Sequence, residues 1–227
     1  MIPRTLQTYL RAASAYFPVV ACVGPRQSGK TTLARATFDE LPYVSLENLD
    51  TRDFALSDPR GFLATYPEGA IFDEVQRVPS LLSYLQGVVD NNGKSGRYVL
   101  TGSHNFLLHE AITQTLAGRV ALTTLLPFSL EEAPPRASQA YEHILWNGAY
   151  PRVLADGVPA NEWLPNYITT YIERDVRQIQ AVADLAQFTL FLRMCAGRTG
   201  QIINLTAMAT ECGISANTAK AWLNLLE

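Results

Sequence analysis

Residues 24 to 32 read GPRQSGKTT, following the apolar run FPVVACV and preceding LARATF. Gly24, Gly29, Lys30 and Thr31 stand at the spacing G-x-x-x-x-G-K-[ST], between a strand-like run and a helix-like one. These residue types suit one task, gripping a polyphosphate. A loop that wraps phosphate must turn its backbone N–H groups inward, and glycine reaches those dihedrals without strain. A helix opening at Lys30 adds its positive end to the same anion. Lys30 then meets the β and γ oxygens as a point charge, and the Thr31 hydroxyl completes a magnesium ion's shell. Pro25, Arg26, Gln27, Ser28 and Thr32 fill out the binding loop.

Three further pieces carry chemistry. In 70-AIFDEVQRVP-79 an acidic pair closes an apolar strand, and buried unpaired charge is costly, so that strand should end at a cleft. Beside a phosphate loop, Asp73 would hold magnesium and Glu74 would orient or deprotonate the attacking water. In 97-RYVLTGSHN-105 a strand ends in small polar residues, and parallel strands deliver their carboxyl ends to one crevice. Ser103, ahead of Thr101, is the candidate contact to the γ-phosphate, against a simple helix-capping turn. In 116-LAGRV-120, Arg119 has the fixed charge and forked geometry that suit phosphoryl transfer, although from the residues alone a surface arginine in an ion pair is the better explanation.

These groups need a scaffold. Apolar runs FPVVACV, YVSL, AIFD, RYVLT and VALTTLL alternate with helical stretches as far as about residue 126, which predicts an α/β fold with a mainly parallel sheet. PFSLEEAPPRASQ interrupts that pattern, and the sequence is helical from there on. The expected division is a nucleotide-binding core at 1–127, a helical lid at 128–183 and a terminal unit at 184–227. With 227 residues, 48% of them apolar and 17% charged, a real core is affordable. The net charge of -3 provides no chain-wide basic field for nucleic acid or membrane. Cys22, Cys195 and Cys212 lack metal-type spacing and read as core packing in a reducing compartment. No secretory or membrane-spanning pattern is present, so a cytoplasmic location is expected. The last residues, AKAWLNLLE, stop on an amphipathic pattern without a helix stop signal, as in part of a longer protein.

GPRQSGKTT, FDEVQRVP, LTGS, LAGRV, LLPFSLEE and YIERDV, in this order, resemble the AAA+ ATPases, and within them a bacterial and archaeal group with a GPRQxGKTT loop. Members of that group commonly continue into a further uncharacterised C-terminal domain. The resemblance implies ATP as the nucleotide, a P-loop sheet ordered 5-1-4-3-2, a small helical lid, and homo-oligomers in which Arg119 reaches a neighbour's nucleotide. Within 147-NGAYPRVL-154 it implies that Pro151 touches the base and that Arg152 senses the γ-phosphate. Many members have an acidic residue where Arg152 stands. The run Glu173-Arg174-Asp175 belongs to the pattern with no assignable mechanical role.

The segment 203–227 reads as helix, turn, helix. Ala209, Gly213, Ala219 and Trp222 fall where that motif needs a small contact, a turn glycine and two core residues, and Ser215 is placed to cap the second helix. The resemblance places a winged-helix-like unit here. Asn217 and Lys220 could touch a duplex, yet residues 201–227 hold one Lys against two Glu, so DNA stays a candidate partner beside a packing role. Two functions follow: an ATPase that moves its lid and terminal unit, or a slowly hydrolysing, STAND-like switch that presents the helix-turn-helix. A small-molecule kinase leaves Glu74 and the terminal unit without purpose.

Overall fold

The computed structural model describes residues 2–92, 94–103, 106–133, 141–171 and 184–226. It divides into two compact units, Met1–Ala160 and Asn161–Glu227. The first is an α/β layer structure. Its strands are β1 (Val19–Gly24), β2 (Tyr43–Ser45), β3 (Ala70–Asp73), β4 (Tyr98–Ser103) and β5 (Val120–Thr124), all parallel in the order β2-β3-β4-β1-β5. Read from the other edge, this is the expected order 5-1-4-3-2.

All six residues of β1 are buried, as the apolar run on both faces demanded. Val19, Ala21 and Val23 point to one side, into a cluster with Phe62, Phe72, Leu85, Tyr98 and Ile112. Val20 and Cys22 point to the other, against Leu10, Ala13, Leu33 and Ala34. Helices α1 (Leu6–Ser14) and α2 (Lys30–Thr37) therefore cover one face. The opposite face is covered by α4 (Pro59–Ala64), α5 (Leu81–Asn92) and α6 (Phe106–Thr115). Helix α3 (Leu49–Ser57) is capped by Asn48, and α4 by Asp58 with proline at its first turn.

The strand limits differ from the sequence reading in two informative places. The last strand ends at Thr124, not Leu126, although Leu125 N still donates to Val23 O at 2.7 Å. The fourth strand continues through Gly102 to Ser103, which lies opposite Gly24 in the register and so brings the polar strand end to the phosphate loop. Gly87, in mid-helix in α5, is unusual in another way. A helical glycine costs about 1 kcal/mol relative to alanine, and here no atom lies within 4 Å of an added Cβ.

The second unit holds helices at 185–197, 205–212 and 216–226, after the helix Ala160–Tyr171 that spans the division, and no strand among its described residues. Asp184 caps the first of the three through the amides of Ala186 and Gln187. Gly213, at φ 68°, ends the second, and Ser215 Oγ accepts from Thr218 N at 3.0 Å to open the third. Ala209, Ala219 and Trp222 are buried with Phe188 and Phe191, whose rings meet Trp222 edge-on at 5.2 and 5.7 Å. Asn217 and Lys220 are exposed on the last helix. Glu173, Arg174 and Asp175 lie outside the described residues. Among the described residues no helix is long and apolar enough to cross a membrane.

Candidate active site

The carboxyl ends of β1, β3 and β4 converge because all three strands run in one direction. The loop after β1 supplies the first wall. Gly24 has φ 151°, and a Cβ there would sit 2.2 Å from Leu125 O, so both the turn and the close approach of the chain just after β5 require glycine. Gln27 and Gly29 follow in left-handed conformations, φ 60° and 95°, and α2 opens at Lys30. Successive turns of this kind aim backbone amides at one point, which is an anion-binding concavity.

Lys30 is buried, and its Nζ donates to Pro25 O at 2.7 Å. Burial pulls its pKa below the ordinary lysine value, with Arg26 acting the same way and Glu74, Cys22 and Asp73 opposing. Thr31 Oγ1 lies 3.1 Å from both carboxylate oxygens of Asp73. Asp73 also accepts from Tyr43 Oη at 2.7 Å and from Thr101 Oγ1. Burial, then the bond to Asp73, pushes the Tyr43 phenol up to about 12. Two hydroxyls and a phenol thus surround one buried carboxylate.

Glu74 follows in the left-handed region, φ 58° and ψ 43°. Among the described residues, only Gln27 and Glu74 are non-glycine residues with positive φ, and both belong to this site. Such a conformation costs of order 1 kcal/mol and persists where surrounding contacts impose it. The side chain is held by Gln76, whose Nε2 donates to Glu74 Oε2 at 2.5 Å. Gln76 also explains Gly102, because a Cβ there would lie 2.4 Å from Gln76 Oε1. Ser103 and Ser28 are buried, and the Oγ of each has no hydrogen-bond partner. Buried hydroxyls without partners are uncommon in folded proteins.

Gly24, Pro25, Arg26, Gln27, Ser28, Gly29, Lys30, Thr31, Asp73, Glu74, Thr101 and Ser103 are therefore gathered at one strand edge, with Thr32 exposed on the first turn of α2. Pro151 joins them, its Cγ 4.0 Å from the Cβ position of Gly29. Arg152 does not, since its Nη1 donates to Asp156 Oδ2 at 2.9 Å on the surface. Arg119 lies at the far edge of the sheet, where β5 begins. Its Nε and Nη2 donate to Asp90 at 2.5 and 2.9 Å, and its Nη1 to Ala117 O at 2.9 Å. The hydrogen bond from Arg119 holds the Asp90 carboxyl below its usual range.

Residues 16–133 match the family model described as an AAA domain. The chain belongs to the AAA domain family. Residues 138–227 match a second one, a domain of unknown function (DUF8612), which covers the helical region after the AAA domain. Two curated relatives, the uncharacterized proteins Mb2031c of Mycobacterium bovis and Rv2008c of Mycobacterium tuberculosis, are each 30% identical over 222 residues. The alignment covers 96% of this chain and 49% of each relative, so the chain spans about half their length. Among solved structures, a Walker-type ATPase of Pyrococcus abyssi, PABY2304, superposes with a TM-score of 0.54 at 15% identity, over 98% of this chain and 96% of that one. The AAA domain here thus has a P-loop ATPase fold.

Sequence reasoning missed two residues that shape this AAA domain's site. Tyr43, the first residue of β2, reaches Asp73 with its phenol while Arg35 lies 4.8 Å over its ring. Arg4 braces the loop, its Nη1 donating to Ser28 O at 2.9 Å and its Nη2 to Leu126 O at 2.7 Å. Its Nε pairs with Glu132 at 3.0 Å, and its guanidinium lies 4.8 Å over the Phe128 ring. A strand-start tyrosine and an isolated arginine have no local signature of such contacts.

Proposed function

We propose that this protein is a magnesium-dependent ATPase whose nucleotide state moves a helical lid, residues 128–183, and the terminal helix-turn-helix, 184–227. The observation that carries the reading is the meeting of Thr31 with Asp73 at the mouth of α2, with Glu74 fixed beside it. The residues fit the implied ion: a hydroxyl and a carboxylate make an all-oxygen donor set suited to a hard cation that also takes phosphate oxygens. Magnesium there would neutralise charge on the phosphates. Loop amides and Lys30 bind the triphosphate, Ser103 Oγ offers its unpaired hydroxyl to the γ-phosphate, and Glu74 aligns water for in-line attack. Pro151 fits a lid contact above Gly29, whereas Arg152 would have to leave Asp156 to sense phosphate.

Calorimetry with Mg·ATP tests the core of this reading. Wild type should bind in the micromolar range, and Lys30→Ala should weaken binding by about a hundredfold, as for loss of a buried charge contact of about 2–3 kcal/mol. Equal heats for the two proteins would refute it.

Arg119 is proposed to act on a neighbouring subunit. Val120 faces Val19 in the register while the loop lies beyond Gly24. Five strand residues separate these ends, roughly 17 Å, too far for one side chain to serve its own nucleotide. Release from Asp90 would then accompany assembly. Arg119→Ala and Glu74→Gln should each be inactive, and mixing them should restore hydrolysis, because mixed interfaces pair an intact Glu74 with an intact Arg119. A mixture no more active than its components would exclude a finger supplied in trans.

The Arg119–Asp90 pair also favours the second reading, a slow switch, since a lone subunit keeps its finger engaged elsewhere. In either case the exposed Asn217 and Lys220 are the proposed contacts to DNA, and a protein partner is the alternative.

A further inference from the structure

A cavity of about 770 Å³ opens between α4 and α5 on the first unit, lined in part by Leu63, Tyr84, Gly87, Val88 and Tyr98. Tyr98 begins β4 and Ser103 ends it, so the cavity stands roughly 17 Å from the nucleotide cleft. The volume lies within the range of small-molecule sites.

Three features give it a chemical character. Arg60, Lys94 and Arg97 line it against a single acid, Glu68, a local excess of two positive charges in a chain of net charge -3. Arg97 is only 9% exposed and its Nε has no hydrogen-bond partner, while its Nη2 reaches Glu68 at a loose 3.7 Å. A buried guanidinium is costly unless its donors are used, and the Glu68 side chain, 84% exposed, is free to swing into water. Finally, Gly87 faces open space in the middle of a helix, where a larger residue would strengthen the helix and fill the cavity.

We propose that this cavity binds an organic oxyanion, a carboxylate or phosphate carried on an apolar or aromatic body. Arg97 forks the anion in place of Glu68, Arg60 and Lys94 supply the surrounding field, and the space over Gly87 takes the body between Tyr84 and Val88. The assignment does not depend on the nucleotide reading.

Calorimetry with phenylacetate, phenyl phosphate and uncharged phenylethanol tests it on the whole chain. At least one anion should bind with a Kd of about 1 mM, the strength expected for ligands of this size, and the stronger anion identifies the head group. Phenylethanol should bind at least about tenfold more weakly. Gly87→Leu should weaken the anion about tenfold or more while raising the thermal midpoint, and Arg97→Gln should weaken it similarly. Lys30→Ala should leave it unchanged, which separates this cavity from the phosphate loop. The proposal is overturned if no anion binds, if phenylethanol binds equally well, or if Gly87→Leu and Arg97→Gln both leave binding intact.

Discussion

Glu74→Gln should lower single-turnover ATP hydrolysis by about 10²- to 10⁴-fold, the usual contribution of a positioned acid or base, and leave Mg·ATP affinity within a factor of a few. The geometry makes this a clean test. The amide keeps the shape of the carboxylate, and its oxygen can still accept from Gln76, so the hydrogen bond that holds residue 74 survives. The left-handed backbone is also tolerated, since a glutamine, Gln27, already occupies that region in the loop of the same site. What is lost is a group able to draw a proton from water. Glu74→Ala would mix that loss with release of Gln76, whose Oε1 already has no partner. A Gln variant hydrolysing within threefold of wild type would remove Glu74 from the mechanism.

Arg4→Ala should cost about 3–5 kcal/mol, as expected when one partner of a buried ion pair is removed, and lower the thermal midpoint by about 10 °C. Arg4 and Glu132 have side-chain exposures of 6% and 5%, so truncation removes the carboxylate's counter-charge, leaving it only the Thr5 and Ser129 donors, and takes a donor from the carbonyls of Ser28 and Leu126. Mg·ATP affinity should fall too, because Ser28 belongs to the loop. Arg4→Lys should recover only a minor part, since an ammonium cannot make three divergent planar contacts. The pH dependence has a definite sign. Burial raises the Glu132 carboxyl, but the amides of Thr5 and Ser129, the Thr5 hydroxyl and Arg4 outweigh it and bring it below 4.5. A carboxyl depressed in the folded state contributes stability above its ordinary value and loses it as pH falls through the folded one. Arg4→Ala should therefore unfold at a higher pH than wild type in an acid titration; coincident acid midpoints would contradict this account.

The three central strands could be read because β1, β3 and β4 are buried on both faces, so each shows as an apolar run ended by polar residues or a glycine, whereas the edge strands β2 and β5 are partly exposed and carry Ser and Thr. The loop could be read because phosphate chemistry restricts which residues fit at fixed spacing. FDEVQ and LTGS could be recognised as pieces, yet their coupling through Gln76 and Gly102 emerges only when β3 and β4 pair. Arg119 could be singled out, but the sequence did not indicate Asp90, 29 residues earlier on α5, as its partner. Arg4 and Tyr43 were invisible for the same reason: their contacts are set by topology, and single residues in unremarkable contexts have no periodicity to expose them.

The brace on the phosphate loop links positions 128 residues apart. During synthesis the glycine-rich turn and Arg4 leave the ribosome long before Glu132 is made, an interval of about 10 s at ordinary elongation rates. Until then the turn lacks the part of its brace that runs through Leu126 and Glu132. If the loop holds nucleotide as proposed, its tight retention begins only after translation has passed the fifth strand, when every strand of the sheet has been made.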